Sequence, residues 1–129
     1  GRFGRRAPGA GRRALGARLR LAAAQIGLQR FGPAAVDWLR RIADAFPSID
    51  RFIEVRHASW ARGDALAALR TVGGFCNIDQ PALRDCLPPS MHVFGRSAYV
   101  RLHGRNAANW FAEGLPAFER YNYSYSESE

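Results

Sequence analysis

Glu54-Val-Arg-His-Ala-Ser-Trp60 and, further along, Tyr99-Val-Arg-Leu-His-Gly104 decide how this sequence is read. Each stretch opens as a strand of β-branched or aromatic residues and ends in Arg and His. Ionisable side chains entering a sheet must find partners or water, so a strand that finishes this way points to a site rather than to packing alone. Phe75-Cys-Asn-Ile-Asp79 lies between them and has the same form, with a polar residue at every second position.

Working outward, Pro33 stands where a first helical turn accepts it. Ala34, Val36, Trp38, Leu39, Ile42, Ala43 and Phe46 recur at helical spacing up to Pro47. A second helix is expected over Asp64 to Val72, closed by Gly73-Gly74. Strands are expected at Arg51 to Arg56, Phe75 to Asp79 and Ser97 to Leu102, and a short one at Leu19 to Ile26. Strands alternating with helices through short connections predict an α/β fold with a parallel sheet.

Successive strand residues point to opposite faces. Ile53 and Val55 therefore oppose Glu54 and Arg56, Cys76 and Ile78 oppose Asn77 and Asp79, and Val100 and Leu102 oppose Tyr99, Arg101 and His103. A helix-covered parallel sheet is normally apolar on both faces. A closed barrel accounts for a repeated polar face, because its interior near the C-terminal mouth carries the polar residues of a pocket. Glu54, Arg56, Asn77, Asp79, Arg101 and His103 are accordingly expected to converge inward, with His57 at the same mouth.

The residue types limit the chemistry. Arg56 and Arg101 offer forked donors for phosphate or carboxylate. Glu54, His57, Asp79 and His103 are the candidate acid and base groups. Asn77, Trp60 and Arg105 are candidate lining for the substrate, with Asn106 and Trp110 extending the rim. Ser59 suits a cap better than a nucleophile, and Trp60 equally suits packing of its loop. Neighbouring arginines oppose a cation, so no metal is expected, and nothing in the pattern names a cofactor. Tyr121, Tyr123 and Tyr125 read as a strand edge or pocket lining.

The 129-residue chain has 19 basic residues, all Arg, against 11 acids, a formal charge of +8. That excess would suggest nucleic acid, but it is local. Residues 1–30 hold eight Arg and no acid, whereas 31–129 hold eleven of each sign, which argues against nucleic acid as the partner of the body. Residues 1–30 are read as an Arg/Gly/Ala-rich arm, either binding nucleic acid or, preferably, lying outside the family sequence, and residues 31–129 as the domain. Cys76 and Cys86 lack zinc spacing and fit reduced thiols of a cytoplasmic protein. No apolar run is long enough to span a membrane.

Four motifs in order, Glu54-Val-Arg-His-Ala-Ser-Trp60, Asp79-Gln-Pro81, Tyr99-Val-Arg-Leu-His-Gly-Arg105 with Trp110, and Tyr121-Asn-Tyr123-Ser-Tyr-Ser126, resemble the YecE-like proteins, catalogued as domain of unknown function 72. The resemblance covers roughly residues 32 to 129. It implies a TIM-type (β/α) barrel with a pocket, places Glu54, Arg56, His57, Asp79, Arg101 and His103 on motif positions, and implies no particular reaction. The family's Gly-Ser/Thr-rich opening strand has no counterpart here, and a whole barrel takes about 250 residues, so a partial barrel is expected.

The functional expectation is an enzyme acting on a small anionic substrate, by hydrolysis, isomerisation or lyase chemistry. A non-catalytic module holding a metabolite or a nucleic-acid end, and a gene fragment without independent function, remain as alternatives. A basic rim continuing beyond the pocket would mark the module, and absence of a cooperative melt would mark the fragment.

Overall fold

The computed structural model describes the backbone of residues 21–26 and residues 30–129 in full. Apart from Leu21–Ile26 and Arg30, the arm expected over residues 1–30 lies outside the described residues. Four parallel strands, β1 (Leu21–Ile26), β2 (Asp50–Val55), β3 (Gly74–Asp79) and β4 (Tyr99–Leu102), form one sheet in the order β1-β2-β3-β4. Each strand thus lies beside its predecessor in the chain. Helices α1 (Pro33–Ala45) and α2 (Gly63–Arg70) connect the first three strands, and a four-residue helix α3 (Ala117–Arg120) follows β4.

α1 begins at Pro33, whose missing N–H costs nothing in a first turn, and Phe46 caps its end by donating to the Ile42 carbonyl at 3.2 Å. It buries Val36 and Leu39. Trp38 and Phe46, expected on the same apolar stripe, are 47% and 52% exposed. The core joins Val36 and Leu39 to Ile53, Val55 and Phe75 of the sheet and to Ala65 and Leu69 of α2. Burying a large apolar side chain of this kind is worth about 1.5–3 kcal/mol, so this layer is the main adhesive between helices and sheet.

Arg51 identifies which face of the sheet the helices cover. Its guanidinium donates to the Ala43 carbonyl at 3.2 Å and the Val72 carbonyl at 3.1 Å, at the ends of α1 and α2. Ile53 and Val55, two and four residues on, share that face. β2 therefore turns Phe52 and Glu54 to the opposite side.

Gly73 and Gly74 do not close α2 in the left-handed conformation expected of them; among the described residues only Gly104 and Gly114 have positive φ. α2 ends at Arg70, and Thr71 donates to the Ala68 carbonyl. The two glycines serve close approach. A Cβ on Gly73 would stand 2.9 Å from the Arg51 carbonyl oxygen, and one on Gly74 would stand 2.9 Å from the Phe52 ring.

Residues 80–98, between β3 and β4, contain no helix or strand. This connection is tied down by side chains instead. Gln80 Nε2 donates to the carbonyls of Arg56 (3.2 Å) and Leu87 (3.0 Å), and His57 and Cys86 form an isolated antiparallel bridge. β4 pairs with β3 alone among the described residues, and its Val100 and Leu102 are 58% and 66% exposed. None of the described helices is long and apolar enough to cross a membrane.

Gly73→Ala is expected to cost about 1–3 kcal/mol, because the clash is with rigid backbone. Urea unfolding followed by circular dichroism measures it; an unchanged midpoint would contradict the close-approach role.

Candidate functional site

Residues paired laterally in a parallel ladder point to the same side of the sheet. Ile53 pairs with Phe75, so Glu54 and Cys76 look the same way, and Cys76 and Ile78 pair in turn with Tyr99 and Arg101. The face away from the helices therefore carries Glu54, Arg56, Cys76, Ile78, Tyr99, Arg101 and His103. Phe52 and Tyr99, on this face, meet edge to face at 5.6 Å.

Asn77 and Asp79 belong to the other face, which corrects the expectation that the polar residues of all three strands converge. β3 is out of phase with its neighbours and turns Cys76 and Ile78 to the common side. The polar residues of β3 have local partners instead. Asn77 Oδ1 accepts from His92 N (2.7 Å) and Ser90 Oγ (3.0 Å), and its Nδ2 donates to the His92 carbonyl (2.9 Å), fastening the Pro-rich connection to the sheet.

Glu54 is the centre of the convergent group and is 0% exposed. Arg56 Nε donates to its Oε1 at 2.8 Å, Arg101 donates to Oε2, and His103 Nε2 lies 3.2 Å from Oε1. Arg56 also approaches His103 Nε2 at 3.3 Å. An unpaired carboxylate could not occupy this position, since removing an ion from water costs several kcal/mol before compensation. With His103 neutral, one carboxylate and two guanidiniums leave a net charge of +1. Arg101, with a 38% exposed side chain, carries that charge to the surface.

Trp110 and Tyr121 wall this group. His103 lies 6.3 Å from the Trp110 ring and 5.9 Å from Tyr121, and the Arg56 guanidinium lies 6.0 Å from the Trp110 ring. Beside it opens a cavity of about 350 Å³ lined by Arg101, His103, Gly104 and Tyr121, Tyr123 and Tyr125.

Asp79 and Arg105 hold the tyrosine segment against β4. Arg105 Nε reaches both Asp79 oxygens at 3.0 and 3.1 Å, the Tyr125 hydroxyl donates to Asp79 at 2.6 Å, and Gly104 N donates to that hydroxyl at 2.9 Å. Tyr123 donates to Glu129 at 2.6 Å, and Glu129 also receives Arg105. Gly104, at φ +79°, fits for two reasons: the left-handed backbone, and a Tyr123 Cβ that would lie 2.6 Å from any Cβ placed there. The tyrosines form no strand, contrary to one of the two expectations for them.

His57 and Trp60 are not in the Glu54 group. His57 Nδ1 accepts from Ser59 N at 3.0 Å and caps a 3₁₀ turn over Ala58–Ala61, while its Nε2 faces Asp85 Oδ1 at 4.0 Å. Trp60 is fully buried in the core and packs edge to face on Phe31 at 5.2 Å. The contribution of the loop residue Asp85 had no sequence signal, because a single charge in a Pro-bounded loop looks like an ordinary solvated one. Among the described residues, no three of His, Cys, Asp and Glu come together as a metal would require.

Burial alone would raise the Glu54 carboxyl, but the hydrogen bonds from His103, Arg56 and Arg101, with the charge of Arg56, lower it from 4.5 to about 2. Cys76, beside it, is pushed up to about 11 by burial and by the Glu54 charge, which makes its thiol unreactive. A carboxyl with a depressed folded pKa adds stability above its unfolded pKa and loses it as pH falls through the folded one. Unfolding free energy should therefore drop by on the order of 3 kcal/mol on this account between pH 4.5 and pH 2. The drop should be smaller in Glu54→Gln, which starts from a lower stability at pH 7; equal acid slopes in the two chains would contradict the ion-pair geometry.

The family described as Protein of unknown function DUF72 matches residues 10–129. Among solved structures, the chain is similar to a DUF72 family protein of Thermotoga maritima MSB8 at 32% identity and a TM-score of 0.76, over 84% of this chain and 41% of that one. A DUF72 family protein of Enterococcus faecalis V583 is similar at 23% identity and a TM-score of 0.62, over 68% of this chain and 38% of that one, and supports the fold. The comparison with curated proteins gave no match. The chain spans about two-fifths of the length of the solved structures it matches. With most of its length matched in sequence and 84% of it matched in space, the chain belongs to the DUF72 family.

Proposed function

We propose that the Glu54 cluster is the active site of an enzyme acting on a small phosphate- or carboxylate-bearing substrate. We further infer that the four strands are consecutive staves of a TIM-type (β/α) barrel whose interior face bears this cluster. Strands that neighbour one another in chain order, with helices on one face and ionic side chains at the late ends of the other, support the barrel reading. The observation that carries the functional reading is the charge balance around a fully buried carboxylate: two guanidiniums against one, with the surplus on the solvent-reaching Arg101.

In this reading Arg101, backed by Arg56, receives the anion. Glu54, held at about 2, is too weak a base to take a proton near neutrality. It acts as an orienting group: in the tautomer whose Nε2–H donates to Glu54 Oε1 at 3.2 Å, rather than accepting from the Arg56 guanidinium at 3.3 Å, Nδ1 of His103 carries the lone pair. A carboxylate that fixes the tautomer of a histidine and stabilises its protonated form is a recurrent arrangement for proton transfer. His103 is the acid–base group, Trp110 and Tyr121 limit water around it, and Asp79 and Arg105 keep the tyrosine wall in place. His57, Asn77 and Trp60 support the loops around the site.

Inorganic phosphate titrated into the chain by calorimetry tests the reading. Arg101→Met should lose one phosphate-binding equivalent while keeping the circular dichroism spectrum, because Arg101 is partly exposed. Retention of every equivalent with unchanged affinity would remove Arg101 from the anion site.

A further inference from the structure

The cavity beside His103, at about 350 Å³, is large enough for more than an anionic group, since cavities that take whole organic ligands begin at about 300 Å³. With His103 neutral, Arg101 is the only charged residue in its lining. The carboxylate that Arg101 engages, Glu54, lies behind it with no exposed surface. Tyr121, Tyr123 and Tyr125 make up most of the remaining side-chain lining, so the cavity has one cationic pole and an aromatic body.

The polar groups of this wall are largely engaged with one another. The Tyr125 hydroxyl donates to Asp79 at 2.6 Å and accepts from Gly104 N at 2.9 Å, and the Tyr123 hydroxyl donates to Glu129 at 2.6 Å. Arg105 pairs with both of those carboxylates. A ligand hydroxyl set against such a wall would leave water without gaining a full partner. What the wall does offer is ring surface: Tyr121 is 46% exposed and Tyr125 37%. Tyr121 stands beside the ionic pole, 5.9 Å from the His103 ring, and Trp110 supports it at 6.0 Å and nearly a right angle. Aromatic rings pair at centroid separations of about 4.5–7 Å, offset or edge to face.

We propose that the substrate of this site is a small aromatic anion, with its phosphate or carboxylate on Arg101 and its ring against Tyr121. This rests on the reading of the Glu54 cluster as an anion site. It narrows the substrate from any small anion to an aryl one, and it disfavours a sugar phosphate of similar size, whose hydroxyls would meet the engaged tyrosines.

Methylphosphonate, cyclohexylphosphonate, phenylphosphonate and a hexose phosphate, each titrated into the chain by calorimetry, test this. Phenylphosphonate should bind about tenfold tighter than methylphosphonate and about threefold tighter than cyclohexylphosphonate, which has as many ring carbons but no π face. Tyr121→Leu should erase the margin over cyclohexylphosphonate and leave methylphosphonate affinity unchanged, whereas Tyr121→Phe, which keeps the ring, should keep the margin. The Tyr121 hydroxyl makes no hydrogen bond among the described residues, so both variants should retain the circular dichroism spectrum. The aryl assignment is overturned if phenylphosphonate binds within about twofold of methylphosphonate, if the hexose phosphate binds tighter than phenylphosphonate, or if the margin survives Tyr121→Leu, even where Arg101→Met abolishes methylphosphonate binding. If methylphosphonate binds Arg101→Met as it binds the unaltered chain, the anion site itself is wrong; absence of binding by every probe overturns both.

Discussion

The Glu54 carboxylate, withdrawn completely from water, constrains everything around it. Its oxygens are taken up by groups from the residue just past β2, from β4 and from the residue just past β4, so the site exists only when those strands lie at one register across β3. β3 contributes no ion to the group and serves as spacer, placing the small Cys76 and the apolar Ile78 between the charged ends. A polar β3 residue at either position would compete for the same donors. Fold and site are thus one constraint, and the buried charge specifies strand alignment as much as it prepares chemistry.

Individual elements were legible in the sequence, and their mutual phase was not. The period of Val36 and Leu39 and the boundaries set by Pro33 and Pro47 located α1. The short apolar runs located β2, β3 and β4 to within a residue or two. Alternation separates the two faces of each strand but cannot say which face of one strand continues which face of the next. That is decided by the pairing of Ile53 with Phe75, a contact set by the close approach of Gly73 and Gly74 to β2. Chemistry alone groups Asn77 and Asp79 with Glu54, whereas lateral pairing groups Cys76 with it.

Long-range closure explains the remaining differences. Asp79 resembles a free acid in sequence, yet its partners, Arg105 and Tyr125, are far along the chain and meet it only because the segment after β4 folds back. Trp60 resembles a pocket wall, but Phe31 meets it in the core, and Phe31 N donates to the neighbouring Ser59 hydroxyl at 2.8 Å. In each case a side chain with chemical potential is held by a structural partner that local spacing cannot reveal. Glu54 with Arg56, and Arg101 with His103, are legible as pairs because each pair stands on one face at a strand end; that the two pairs share a face is set by lateral pairing through β3.

β4 presents a row of main-chain donors and acceptors with no neighbour among the described residues, beside the uncovered aliphatic side chains of Val100 and Leu102. Such a margin is an adhesive template for any extended segment that meets it. Self-association of the chain would begin there and rise with concentration. A charged residue in place of Val100 would blunt that template without touching the ionic cluster, because its side chain leaves the sheet on the other side.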